Sequence, residues 1–308
     1  MEIYLPIADL PVNVFLILGM GLTVGFISGM FGIGGGFLMT PLLIFVGIAP
    51  AVAVASVSTH IAASSCSGAL SYWRRNAIDF PLALMLLIGG FIGTGTGVWL
   101  FTMLRALDQL DLVIGLSYVT LLTVVGALMI TESLRAVMRS RQGQPPTLRR
   151  PGSHTWFHGL PLKLRFKRSK IYVSVIPIWA IGFIIGFLGA ILGIGGGFLL
   201  VPMLIYLLRV PTATVIGTSM VLTLVTMASA TVMHATTNQL VDAVLAFILM
   251  IGGVIGAQFG ARTGQKLSGE YLRLLLGLLV MAVGLRFAVQ LIVTPADPYS
   301  IRVIEASR

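Results

Sequence analysis

Acidic residues are scarce in this chain, and none lies deep in an apolar stretch. Only ten Asp and Glu occur among 308 residues, all at chain ends, in loops or at the edges of apolar runs. Proton- and sodium-coupled carriers often rely on a buried carboxylate. A carboxylate-based cation site is therefore disfavoured, and any coupling falls to His60 or to backbone carbonyls. Cysteine is nearly absent too. The single Cys66 excludes an intramolecular disulfide and a multi-cysteine metal site. In its apolar surroundings it reads as a small core residue. Charged residues make up 10%, against about 25% in a soluble domain. The opening MEIYLPIADL holds no Lys or Arg, unlike the basic leader of a cleaved signal peptide. Enzyme signatures are missing as well. In SSCSGA (Ser64–Ala69), Ser65 stands where an intramembrane serine protease motif needs glycine, and no paired histidine accompanies it. GIGGGF lacks the Gly-Lys-Ser/Thr of a P-loop and the βαβ setting of a dinucleotide site. The chain reads as a non-enzyme without cofactor or metal.

Apolar residues are abundant. They make up 57% of the chain, and the mean hydropathy is +1.00. Eight stretches reach the roughly 20 apolar residues that cross a bilayer: Pro11–Phe31, Pro50–Trp73, Phe80–Met103, Leu110–Ile130, Tyr172–Leu192, Thr212–His234, Ala243–Ala261 and Leu272–Val293. The net charge of +10 has a local source. Ten of the twenty Lys and Arg fall between Arg135 and Lys170, a segment without Asp or Glu and with a Pro/Gly-rich centre. This is the pattern of a cytoplasmic loop held by the positive-inside rule and able to touch anionic lipid. It is not read as a nucleic-acid site.

One motif is written twice. Gly25–Ile44 and Gly186–Ile205 share GIGGGF and are identical at 12 of 20 positions, at an offset of 161. Pro41 and Pro50 match Pro202 and Pro211. Ile78-Asp79 and the glycines from Gly89 to Gly97 match Val241-Asp242 and Gly252 to Gly260 at an offset of 163. The chain thus reads as an all-α polytopic membrane protein built of two homologous repeats with glycine-broken segments. The first repeat spans residues 1–134, the basic linker 135–171, the second repeat 172–294 and a tail 295–308. The segments after the glycines, Phe37–Ile48 and Phe198–Leu208, are short for a crossing. If they only dip in, each repeat has four crossings and the halves are parallel, eight in all. If they cross, each has five and the halves are inverted, ten in all. Inversion puts Arg74, Arg75, Arg209, Arg262, Lys266 and Arg273 on the linker's side, so the charge rule favours it.

The candidate binding residues follow from these segments. A helix that begins after GIGGG offers unpaired amides and a partial positive charge, which suits an anion. This makes Gly34, Gly35, Gly36, Gly195, Gly196 and Gly197 a candidate backbone site; the other reading is close helix packing. After each glycine segment comes a run of hydroxyls, which either glue helices or line a polar path. Ser58, Thr59, Thr218 and Ser219 are the candidates there, with Ser58 and Ser219 at matching positions. His60 lies well inside its span opposite Val221, and an intramembrane ionisable group is a functional candidate; a neutral histidine bonded to a neighbouring helix is the other reading. Arg286 either snorkels to the interface or serves as counter-charge. His234 is expected at the interface, and Asp79 and Asp242 as helix caps.

The duplicated G-I-G-G-G-F-L-x-x-P with the R-x-x-I-D block at Arg75–Asp79 resembles the TauE/SafE sulfite exporter family, also called TSUP, from about residue 20 to 285. The resemblance implies a bacterial inner-membrane transporter of sulfite, thiosulfate, sulfoacetate or other sulfonates, with Gly32–Gly36, Pro41, Gly193–Gly197 and Pro202 as motif positions. The second half has no arginine opposite Arg75, and the long basic linker is unlike the short middle segment of many members. The expected activity is secondary transport of a small sulfur anion by alternating access at the repeat interface, with an anion channel or a non-transporting scaffold as alternatives. The expected partners are that anion, membrane lipid and, as an open option, a second copy in a homodimer; nucleic acid is not among them.

Overall fold

The computed structural model describes residues 2–31, 35–74, 76–141, 162–166, 168–169, 171–206, 212–263 and 269–292. Gly32 to Gly34, Arg75, most of the basic linker and the tail from 293 onward lie outside these residues. The first half contains α1 (Val14–Phe31), α2 (Gly36–Phe45), α3 (Pro50–Arg74), α4 (Phe80–Ala106) and α5 (Leu110–Arg141). The second repeats the order as α6 (Val175–Leu192), α7 (Gly197–Tyr206), α8 (Thr212–Met233), α9 (Ala243–Thr263) and α10 (Gly269–Ile292), with a π-helical turn at His234–Asn238. Among the described residues, five segments are long and apolar enough to cross a membrane: Phe80–Ala106, Leu110–Thr131, Val175–Leu192, Thr214–Asn238 and Ala243–Gly260. The apolar parts of α1 and α10 are shorter, and α3 dilutes its 25 residues with Ser and Thr.

The all-helical expectation needs one addition. An antiparallel hairpin precedes the first long helix of each half. In the first, β1 (Glu2–Leu5) pairs with β2 (Leu10–Asn13). In the second, β3 (Lys163–Phe166) pairs with β4 (Ile171–Ser174). Leu5 and Phe166 are buried, so each hairpin sends an apolar side chain into the bundle end.

The helices pair across the halves. α1 lies along α9, α6 along α4, α5 along α10 and α3 along α8. Glycines set the first two contacts. A Cβ on Gly25 would lie 2.7 Å from the Gly253 Cα, and one on Gly97 would lie 2.8 Å from the Phe187 carbonyl oxygen. Two helix backbones this close leave no room for side chains between them.

Two carboxylates fasten the hairpins. Asp79 caps α4 by accepting from the Leu82 amide, and it also accepts from the Ser169 amide at 2.9 Å and hydroxyl at 2.7 Å. Asp242 caps α9 by accepting from Val244 and Leu245, and it also accepts from the amides of Ile7 and Ala8. Each half therefore holds the other half's hairpin. The capping expectation covered only the local bonds. The backbone amides of the two aspartates donate across the halves too, Asp79 to Thr218 Oγ1 and Asp242 to Ser56 Oγ.

These contacts sort the chain into two ends. The β1–β2 hairpin, the start of α3, the end of α4 and the α8–α9 junction share one end, where Arg105 donates to the Asn238 carbonyl at 2.9 Å. The α3–α4 junction, β3–β4 and the start of α8 share the other, where Arg168 donates to the carbonyls of Asn76 and Ile78.

Candidate substrate site

The two glycine clusters meet. α6 ends at Leu192, and Gly193 and Gly195 adopt the left-handed region at φ +62° and +64°. Gly35 does the same at +67° just before α2. Glycine enters this region at little cost, whereas a side chain is strained there. A Cβ on Gly36 would lie 2.5 Å from the Gly193 carbonyl oxygen and 2.8 Å from the Ile194 carbonyl carbon. The Ile61 side chain of α3 packs against both Gly36 and Gly195. The next residues, Phe37 and Phe198, stack at 4.3 Å between centroids and 10° between planes. Thr40 of α2 reaches the Gly193 carbonyl at 3.3 Å, and Tyr118 of α5 donates to Leu192 at 2.6 Å. Two helix beginnings, those of α2 and α7, thus face one junction. Gly35, Gly36, Gly195, Gly196 and Gly197 all belong to it; Gly34 lies outside the described residues. A Cβ on Gly196 would overlap Ile185.

The hydroxyls are mostly bonded inside the protein. Ser58 donates to Val54 and Ser219 to Ile216 in their own helices. Thr59 reaches Thr231 of α8 at 3.4 Å. Thr218 accepts from the Asp79 amide at one bundle end. His60 turns to α9, where its Nδ1 lies 2.8 Å from the Leu249 carbonyl oxygen. Four buried polar atoms have no hydrogen-bond partner among the described residues: His60 Nε2, Ser65 Oγ, Thr94 Oγ1 and Thr223 Oγ1. Burying such an atom without a bond is costly, so these mark where polar ligand atoms gain most. Ser65 and Thr223 fall at one level of the α3–α8 crossing, between the Thr59–Thr231 contact and the approach of Gly68 to Met220. Thr94 stands on α4, beside Gly186 of α6.

Arg286 is placed apart from the junction. Its guanidinium lies 4.5 Å from the centre of the Phe45 ring, at the end of α2 away from the glycines. His234, near the end of its span, is buried within the protein and bonds the Ala190 carbonyl at 3.1 Å. Cys66 is exposed on α3 rather than in the core. Thr94 and Tyr118 were not singled out from sequence. Thr94 lies among the glycines from Gly89 to Gly97, which marked only the repeat, and Tyr118 in a plain apolar span. No group of three His, Cys, Asp or Glu suited to a metal occurs among the described residues.

A family model described as "Sulfite exporter TauE/SafE" matches residues 17–287. A "Probable membrane transporter protein" of Xylella fastidiosa (strain 9a5c) is 31% identical over 283 residues, 89% of this chain and 94% of the relative. The "Probable membrane transporter protein YjnA" of Bacillus subtilis is 26% identical over 270 residues, 87% and 96% of the two chains. "Sulfite exporter TauE/SafE family protein 1" of Arabidopsis thaliana is 47% identical over 53 residues, 17% of this chain and 12% of its own. No solved structure matches the chain.

Proposed function

Because the chain belongs to the sulfite exporter TauE/SafE family of membrane transporters, we propose that it carries a small sulfur-containing anion, such as sulfite, thiosulfate, sulfoacetate or another sulfonate. It does so by alternating access at the interface of two inverted repeats. The observation that carries this reading is the meeting of the α2 and α7 beginnings at one glycine-lined junction. The positive ends of both helix dipoles point there, and an oxyanion is the ligand they favour. The substrate site consists of the glycine backbones of this junction with the hydroxyls and His60 of the flanking helices.

Inversion is supported by how corresponding helices run. Along α3 and α8, Thr59 faces Thr231 and Gly68 faces Met220. Along α5 and α10, Gly126 faces Met281 and Ile130 faces Gly277. Both pairs are antiparallel, as expected for an axis lying in the membrane plane. The bundle end holding Arg74, Arg168, Arg262 and the linker is the cytoplasmic one by the charge rule.

The test is flux into proteoliposomes. Saturable uptake of sulfite, thiosulfate or sulfoacetate with counter-transport is expected. Flux that rises linearly without saturation makes the protein a channel. A purified protein that neither carries nor is thermally stabilised by any of these anions is a scaffold.

A further inference from the structure

The two buried histidines among the described residues, His60 and His234, differ in one respect. His234 uses both ring nitrogens: Nε2 donates to the Ala190 carbonyl, and Nδ1 accepts from Asn238 at 3.3 Å. His60 uses one. Its Nδ1 faces the Leu249 carbonyl oxygen, which can only accept, so Nδ1 carries the hydrogen. In the neutral ring Nε2 is then a bare lone pair, fully buried and without a hydrogen-bond partner among the described residues.

The ring is held in place. Gly253 of α9 leaves the space it fills: a Cβ there would overlap the imidazole and lie 3.2 Å from Nε2. The other half lacks this device. Val221 stands opposite His60 in the repeat, and Gly90 faces Leu222 and Thr226 instead. Among the described residues, no charge compensates the ring from its neighbours. α1, α2, α6 and α8 carry no ionisable side chain. α9 has only Arg262 in its last turn, with Asp242 ahead of its first residue and bonded to four amides. α5 offers Asp111 in its first turn, Tyr118 bonded to Leu192, and Glu132 with arginines at its far end. On α3 itself, Cys66, Tyr72 and Arg74 lie toward the C-terminal end.

A bare lone pair repels an anionic oxygen, whereas a protonated Nε2 donates to it. Protonation without an anion would bury an unpaired cation, which is unfavourable. Each ligand thus requires the other, and their affinities rise together. The next residue, Ile61, packs on both glycine clusters, so the His60 backbone adjoins the junction. We infer that the coupling ion is a proton and that His60 carries it: one proton from water on the loading side bonds to Nε2 as the anion binds, and it returns to water on the releasing side as the anion leaves. A monovalent sulfonate then crosses without net charge movement. This rests on the transport reading above.

The experiment uses the full chain in proteoliposomes containing a pH-sensitive dye, with the membrane potential clamped. Isethionate and sulfite are the probes. Isethionate stays ionised throughout the working range, so a proton moving with it rides on the protein. Wild type should accumulate isethionate down an imposed pH gradient, about tenfold per pH unit, with one proton entering per anion. His60→Asn keeps an amide donor for Leu249 but cannot take up a proton, so its remaining flux should ignore the gradient. Gly253→Ala, which displaces the ring, should weaken the response in the same direction. Gradient-independent isethionate flux in wild type overturns the inference, even if neither variant folds. So does undiminished coupling in a folded His60→Asn. If sulfite alone is carried, equal pH dependence in wild type and His60→Asn overturns it, and loss of that dependence in the variant supports it. Absence of flux for both anions in wild type overturns the transport reading itself.

Discussion

Gly36 and Gly95 have the same side chain and opposite surroundings. A methyl group on Gly36 would press on the backbone of Gly193 and Ile194, and the Ile61 side chain closes off another direction. A methyl group on Gly95 meets nothing within 4 Å. Backbone cannot step aside as a flexible side chain can. Gly36→Ala should therefore lower stability by about 1–3 kcal/mol, the usual range for overpacking. Gly95→Ala should be neutral or stabilising by up to about 1 kcal/mol, since alanine favours a helix. Unfolding in detergent measures both, and equal effects would mean the halves do not approach at Gly36 as described. The contrast bears on what the duplicated motif is for. At Gly36, Gly195 and Gly196 the missing Cβ admits a neighbouring group, which is the packing reading. It also brings two helix beginnings together, which is the condition for the anion reading.

At the scale of elements, the two aspartates do more than cap. Asp79 joins α4 to the hairpin of the second half, and Asp242 joins α9 to the hairpin of the first. Asp79→Ala leaves the buried Ser169 amide and hydroxyl without their acceptor. A cost of about 2–4 kcal/mol is expected for loss of bonds to a charged group. In a double-mutant cycle with Ser169→Ala, a coupling of about 1–2 kcal/mol should appear. Additive losses would mean that the bond across the halves contributes nothing and that only the local cap matters. The sequence disclosed half of this. An aspartate ahead of an apolar run, found twice at one offset, reads as a cap because capping is local. Its second partner lies 90 residues away, and no spacing rule reaches that far. The hairpins were hidden for a similar reason. Four-residue strands in MEIYLPIADLPVN and KLRFKRSKIYVS are too short for an alternation signal, and their pairing is fixed by burial of Leu5 and Phe166 at the bundle ends. The glycine junction was legible in part. Repetition marked its members, but Ile61 and the Phe37–Phe198 stack are tertiary facts. His60 stood out because a span holding an ionisable group is rare. Which nitrogen it leaves bare depends on a carbonyl of α9.

At the scale of the whole molecule, the direction of the two halves decides between mechanisms. Inverted repeats can exchange conformations and so open a shared site first to one side and then to the other. Parallel repeats around re-entrant segments do not provide that exchange. Two exposed positions separate the cases: Gln109, between α4 and α5, and Thr236, between α8 and α9. The Arg105–Asn238 bond brings these junctions to one end of the bundle, and the end with the linker lies opposite. The inverted arrangement puts both residues outside, whereas a parallel one leaves Gln109 outside and turns Thr236 to the cytoplasm. Replacing the exposed Cys66 with alanine, then introducing Gln109→Cys or Thr236→Cys, gives a single reporter in each protein. In intact cells a membrane-impermeant thiol reagent should label both. Leu164→Cys, on the β3 strand near the end of the basic linker, should react only after lysis. Labelling of Gln109→Cys without Thr236→Cys would contradict the antiparallel course of α3 along α8, and with it the inverted arrangement on which the alternating-access reading rests.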